Sequence, residues 1–109
     1  MSVQRMAAVI RLRPEKETQY RAMHADAWPQ VLRTLKEAGV SNYSIFLRDG
    51  MLFSYMEYDG DEFEASMEKM ASDEATKEWW KITGPCQQPL DTIAEGEWWA
   101  PAEEIFHLD

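Results

Sequence analysis

The apolar positions of this chain change period several times, and each change marks a candidate element. From Arg5 to Leu12 they alternate, with Met6, Ala8, Ile10 and Leu12 on one side and Ala7 and Val9 on the other. A period of two with apolar residues on both sides predicts a strand covered on both faces. Pro14 presets a helical φ, and Glu15 and Glu17 put negative charge at the positive end of the helix that follows, which the pattern carries to about Ala25. Pro29 disfavours helical geometry at Trp28 and removes a backbone donor, so the segment is expected to bend and restart with Asp26 as its N-cap. Val31, Leu32, Leu35 and Ala38 give the restarted helix its apolar stripe, and Gly39 ends it.

Two strand patterns come next, Asn42 to Leu47 and Met51 to Tyr58, joined through Arg48-Asp49-Gly50. Asp-Gly supplies the positive φ values of a tight hairpin turn, the strongest local signal in the chain. Asp61 is the expected cap of a helix carrying Phe63, Met67 and Met70. Ser72 is the expected cap of a second, with Asp73 and Glu74 in its first turn and Trp79 and Trp80 further along. The stretch from Gly84 to Gly96 holds Pro85 and Pro89 and no sustained period, which predicts a loop. Loops of that length are usually functional or mobile. Glu104 to Leu108 reads as a terminal strand.

The order β, α, β, β, α, β specifies an α+β domain of the ferredoxin-like type: a four-stranded antiparallel sheet with helices on one face. Its strands carry apolar residues on both sides, Tyr43, Ile45 and Leu47 against Phe46, and Phe53 and Tyr55 against Leu52 and Met56. The face without helices therefore needs a cover, and a homodimer closed through the sheet faces with two-fold symmetry is the expected answer.

Length and charge narrow the function. At 109 residues the chain has room for a single domain, 1–109, with one core. Twenty acidic against eleven basic residues give a formal charge of −9, which repels phosphate backbones and argues against a nucleic-acid partner. The single cysteine, Cys86, has no disulfide or zinc-ligand partner, so a reducing, cytoplasmic location is expected. Residues 1–13 lack an unbroken apolar run, and neither a signal peptide nor a membrane span is expected.

The candidate chemistry lies on the first helix. Tyr20 and His24 are four apart and share a face, and Trp28 continues the spacing. A phenol and an imidazole are two proton-transfer groups, and imidazole is the side chain whose charge changes between pH 5 and 8. The same spacing also suits an aromatic core stripe and a packed histidine. Trp79 and Trp80 point about 100° apart on their helix and cannot both fill one narrow stripe. Trp98 and Trp99 repeat the doublet. Indoles offer a C–H-rich sugar face an apolar platform, although large aromatics also fill interfaces. His107 and Cys86 fit structural roles better than catalytic ones. The sequence contains no glycine-rich phosphate loop, no His-x-x-x-His pair and no nucleophile elbow, so neither cofactor nor metal is expected.

Taken together, Tyr-x-x-x-His at Tyr20 and His24, Trp-Pro at Trp28 and Pro29, and Asn-Tyr-Ser-Ile-Phe-Leu from Asn42 to Leu47 make a specific set. With Trp-Trp-Lys from Trp79 to Lys81 and the closing Glu-Ile-Phe-His-Leu-Asp from Glu104 to Asp109, it resembles the L-rhamnose mutarotase family over nearly the whole chain. The resemblance implies a dimeric α/β barrel of ferredoxin-like subunits and an isomerase, without cofactor or metal, that interconverts the anomers of a free monosaccharide. It also implies a catalytic pair at His24 and Tyr20 and a sugar-stacking doublet at Trp79 and Trp80. Trp28 joins them as an expected cavity wall. From Cys86 to Trp99 the chain departs from the bacterial type of the family, which leaves L-fucose or another deoxy-sugar beside L-rhamnose. Two alternatives share the architecture: a cofactor-free monooxygenase acting on an aromatic substrate, and a non-catalytic ligand-binding module.

Overall fold

A computed structural model describes residues 3–109; Met1 and Ser2, the first residues of the expected domain, lie outside them. Strand β1 (Val3–Leu12) is followed by a short 3-10 turn at Pro14–Lys16, then helices α1 (Glu17–Ala25) and α2 (Pro29–Glu37). The hairpin β2 (Val40–Arg48) and β3 (Met51–Asp59) leads to α3 (Phe63–Ala71) and α4 (Glu74–Thr83). A second 3-10 turn, β4 (Gln87–Gln88) and β5 (Ala100–Ala102) complete the described chain. The sheet is antiparallel in the order β2-β3-β1-β4, with β5 also pairing with β1.

This is the expected α+β arrangement, and several local features explain it. Asp49 at φ 52° and Gly50 at φ 74° form the tight turn between β2 and β3. Gly39 sits at φ 96°, where a Cβ would lie 2.6 Å from the Asp59 carbonyl oxygen, so only glycine lets β2 begin against the end of β3. Along β1 and β3 the even-numbered residues face the helices, and Ile10, Leu12, Leu52 and Tyr58 are buried. The odd-numbered set faces away. Val9, Phe53 and Phe46 form a cross-strand row there, with Phe53 42% and Phe46 61% exposed.

The caps differ from expectation. Asp26 closes α1 instead of opening α2, which starts from Trp28 in extended geometry with Pro29 as its first residue. Pro29 at the first helical position lacks an N–H that would otherwise be one of the helix's unpaired donors, and its fixed φ suits the start of the helix. Glu62, without a side-chain hydrogen bond, takes the place assigned to Asp61. Ser72 closes α3, and Asp73 caps α4: its carboxylate accepts from the Thr76 backbone N–H at 2.9 Å and from the Thr76 hydroxyl at 2.9 Å. The backbone bond from Thr76, together with those side-chain bonds, holds the Asp73 pKa below the usual carboxylate range.

The end of the chain also differs. The stretch 84–96 is not wholly a loop, because Gln87 and Gln88 pair with Leu12 and Arg11. The last strand is Ala100–Ala102, paired with Ala7–Val9, while Glu104 to Leu108 has no regular structure. The five-stranded sheet replaces the expected four. A strand forms where a partner edge is free, and β1 presents that edge to residues 100–102, with Pro101 tolerated on the sheet border. Beyond it Glu104 pairs with Arg5 at 2.7 Å, while Ile105, Phe106 and Leu108 remain largely exposed.

Candidate active site

Between the helices and the sheet lies a cavity of about 530 Å³. That is within the roughly 300–1,000 Å³ typical of small-molecule sites. Its walls are mainly apolar, with Val31 and Leu35 from α2, Ile45 and Met56 from the sheet, and Met67 and Met70 from α3. Polar groups converge from α1 and β4, namely Tyr20, His24 and Gln87, with Thr76 and Thr83 from α4.

Tyr20 is 5% exposed and belongs to the core cluster with Ile10, Leu12, Leu52 and Cys86. The cavity floor is therefore the core itself, which fixes the phenol. His24, one turn on, stacks on Tyr20 with ring centroids 4.2 Å apart. His24 Nδ1 lies 2.8 Å from the Tyr20 carbonyl oxygen. A carbonyl only accepts, so in the neutral ring Nδ1 carries the proton and Nε2 is left with a lone pair.

The phenol is anchored from the other side. Gln87 Nε2 donates to Tyr20 Oη at 3.0 Å, and Trp98 Nε1 donates to Gln87 Oε1 at 2.8 Å. Burial pushes the Tyr20 pKa up to about 12, a rise that the bond from Gln87 partly opposes. Tyr20 is thus a protonated phenol at neutral pH. Tyr43 lines the same cavity from β2.

Of the expected site residues, Tyr20, His24, Trp79 and Trp80 line this one cavity. Trp79 is buried and meets His24 edge to face at 5.2 Å, whereas Trp80 is 44% exposed, as their divergence on α4 requires. Trp28 does not line the cavity. It packs edge to face against Trp79 at 5.1 Å and supports that wall from behind, because Pro29 turns the chain just where helical spacing would have carried Trp28 inward. Gln87 and Tyr43 were not singled out by the sequence. The only pointer to Gln87 was its position in a long Pro-containing connection. Among the described residues, no three or more His, Cys, Asp or Glu side chains cluster as metal ligands, and no helix is long and apolar enough to cross a membrane.

The chain is similar to several known proteins. The L-rhamnose mutarotase of Bacillus subtilis is 31% identical over 109 residues, covering 98% of this chain and all of its own. That of Lactiplantibacillus plantarum is 33% identical and covers 96% and 98%. The crystal structure of L-rhamnose mutarotase FA22100 from Formosa agariphila superposes with a TM-score of 0.73 at 26% identity, covering 97% and 99%. The tetracenomycin F2 cyclase of Streptomyces glaucescens reaches the same TM-score at 19% identity, which shows a shared fold alone. The family model described as L-rhamnose mutarotase matches residues 5–108, so the chain belongs to the L-rhamnose mutarotase family.

Proposed function

We propose that the protein catalyses anomer exchange of L-rhamnose or a related deoxy-sugar such as L-fucose, with His24 and Tyr20 as the proton-transfer pair and Trp79 and Trp80 as the sugar platform. The observation that carries this reading is the stacked Tyr20–His24 pair on the wall of a tryptophan-bordered cavity. Mutarotation breaks the C1–O5 bond of the hemiacetal, lets the aldehyde rotate about C1–C2, and recloses the ring on the other face of C1. Opening requires a base at the O1 hydroxyl and an acid at O5. The Nε2 lone pair of His24 suits proton exchange with a sugar oxygen, and Tyr20 is the partner phenol. Positioned acid and base groups contribute roughly 10²- to 10⁴-fold each, ample for a reaction that already proceeds in water. The apolar wall of Leu35, Ile45 and Met67 favours a sugar bearing a methyl where others carry a hydroxymethyl.

The working unit in this reading is a homodimer joined through the bare sheet faces. Its support is the exposed row of Phe46 and Phe53, which an isolated subunit leaves in water. A reducing, cytoplasmic setting fits the lone buried thiol of Cys86.

Magnetisation-exchange NMR between anomeric protons tests the activity across L-rhamnose, L-fucose, galactose and mannose. The expected result is acceleration of the deoxy-sugars well above that of the hydroxymethyl sugars. Equal spontaneous rates for all four, with and without protein, would contradict the proposal.

A further inference from the structure

We propose that the cavity contains a second, apolar subsite beyond the sugar, so that its substrates include reducing deoxy-sugars carrying an alkyl group on O4; this rests on the mutarotase reading above. The cavity is longer and larger than a bare monosaccharide requires. Along α4 both Thr76 and Thr83 line it, and the seven residues between those positions span about 10 Å at the helical rise. A deoxyhexose fills on the order of 200 Å³ at the packing density of protein interiors, well under half of the 530 Å³ present.

The two ends differ in chemistry. At the Thr83 end stand Tyr20 and Gln87, bonded at 3.0 Å, and His24 stacks on Tyr20 and meets Trp79 midway along α4. At the Thr76 end the start of α2 meets the start of α4, because Gln30 Nε2 donates at 3.3 Å to Asp73, the residue that caps α4. Val31 and Met70 line the cavity there and are buried, with Met67 one turn before Met70 on α3. Met56 joins this wall from β3. It lies four residues, about 13 Å along the strand, from Leu52, which packs with Tyr20. Thr76 has already spent its hydroxyl hydrogen on the Asp73 carboxylate at 2.9 Å. The far end therefore presents hydrocarbon and thioether, and its three methionines can repack around groups of different shape.

The reaction sets how a sugar lies in this space. O1 and O5 are both bonded to C1, so C1 sits beside Tyr20 and His24. C4 lies across the ring from C1, and O4 accordingly points toward the Thr76 end. An alkyl group on O4 would leave water for the wall of Val31, Met56 and Met70, a gain of about fourfold in affinity for each methylene fully buried. The group takes no part in bond breaking. It should therefore lower KM and leave kcat near that of L-rhamnose.

The test is anomer-exchange NMR with L-rhamnose, 4-O-propyl-L-rhamnose and 4-O-(2-hydroxyethyl)-L-rhamnose, whose two substituents are equal in length. The expected KM of the propyl sugar is roughly tenfold below that of L-rhamnose, less than full burial of its carbons gives because the chain must be ordered. Its kcat stays within about threefold. The hydroxyethyl sugar should lose most of that gain, since its terminal hydroxyl meets sulfur and hydrocarbon. Val31→Phe, which fills the far end, and Met56→Gln, which makes it polar at similar length, should each bring the ratio of the two KM values back to about one. That ratio is taken within one protein, so a general loss of activity does not enter it. An active wild type whose KM for the propyl sugar equals or exceeds that for L-rhamnose would overturn the subsite alone; a far end filled by the chain of a second copy gives this result. A gain that the hydroxyethyl sugar matches, or that both variants retain, would overturn it as well. A wild type that accelerates exchange of neither L-rhamnose nor the propyl sugar would overturn the mutarotase reading and the subsite with it.

Discussion

The two faces of the sheet carry comparable apolar side chains and treat them in opposite ways. On β3, Leu52 is 2% exposed beneath the helices, while its neighbour Phe53 is 42% exposed on the other side. The helix face combines core and cavity: Ile10 and Leu52 pack around Tyr20, and that packing holds the phenol where the cavity opens. The bare face has no chemistry of its own, only a row of rings in search of a cover. In the proposed reading stability and catalysis share one face, and assembly falls to the other. The period of two along a strand is what keeps the three demands apart in so short a chain.

Substitutions at adjacent residues sharpen this contrast. Leu52→Ala removes a sealed side chain above the cavity floor and should cost about 2–5 kcal/mol of unfolding free energy, read from urea denaturation. Phe53→Asp should leave a folded subunit but abolish the dimer by sedimentation, because a charge would have to be desolvated at the contact. A Phe53→Asp protein that still sediments as a dimer breaks the assignment of that face. A Leu52→Ala protein as stable as the parent breaks the assignment of the other.

The buried phenol gives a pH signature specific to the sealed face. Its pKa is about 12 in the folded chain against an ordinary 10.0. Below pH 10 both folded and unfolded states hold the proton, so the stabilisation is fully present. Between pH 10 and about 12 the unfolded chain releases the proton first, and stability is lost progressively as pH rises through that window. The difference in stability between wild type and Tyr20→Phe, followed by urea titration from pH 9 to 12, should therefore shrink over that range. A difference that stays flat would mean that the phenol is not sealed.

Much of this was legible in the sequence where a local rule had no competitor. Asp49-Gly50 fixed the hairpin because the turn needs two positive φ values and few residue pairs supply them. Tyr20 and His24 were legible as a pair because helical spacing puts them on one face, and only the family resemblance joined them to Trp79 and Trp80. Trp28 was misplaced because Pro29 breaks that spacing one residue later. The terminal strand was misplaced for a different reason: Ile105, Phe106 and Leu108 have the stronger apolar pattern, yet the free edge of β1 falls opposite Ala100–Ala102. Pairing is decided by a distant partner, which no local pattern encodes. Gln87 was illegible on the same ground, since its bonds to Tyr20 and Trp98 span 67 and 11 residues of chain.

The central claim is that an imidazole stacked on a buried phenol moves the sugar's protons. Anomer exchange of L-rhamnose by a folded His24→Ala protein, verified by its circular dichroism, tests it most directly. The account predicts a fall toward the spontaneous rate, by roughly 100-fold or more, with sugar still quenching or shifting tryptophan fluorescence. An exchange rate equal to that of the wild type would contradict it.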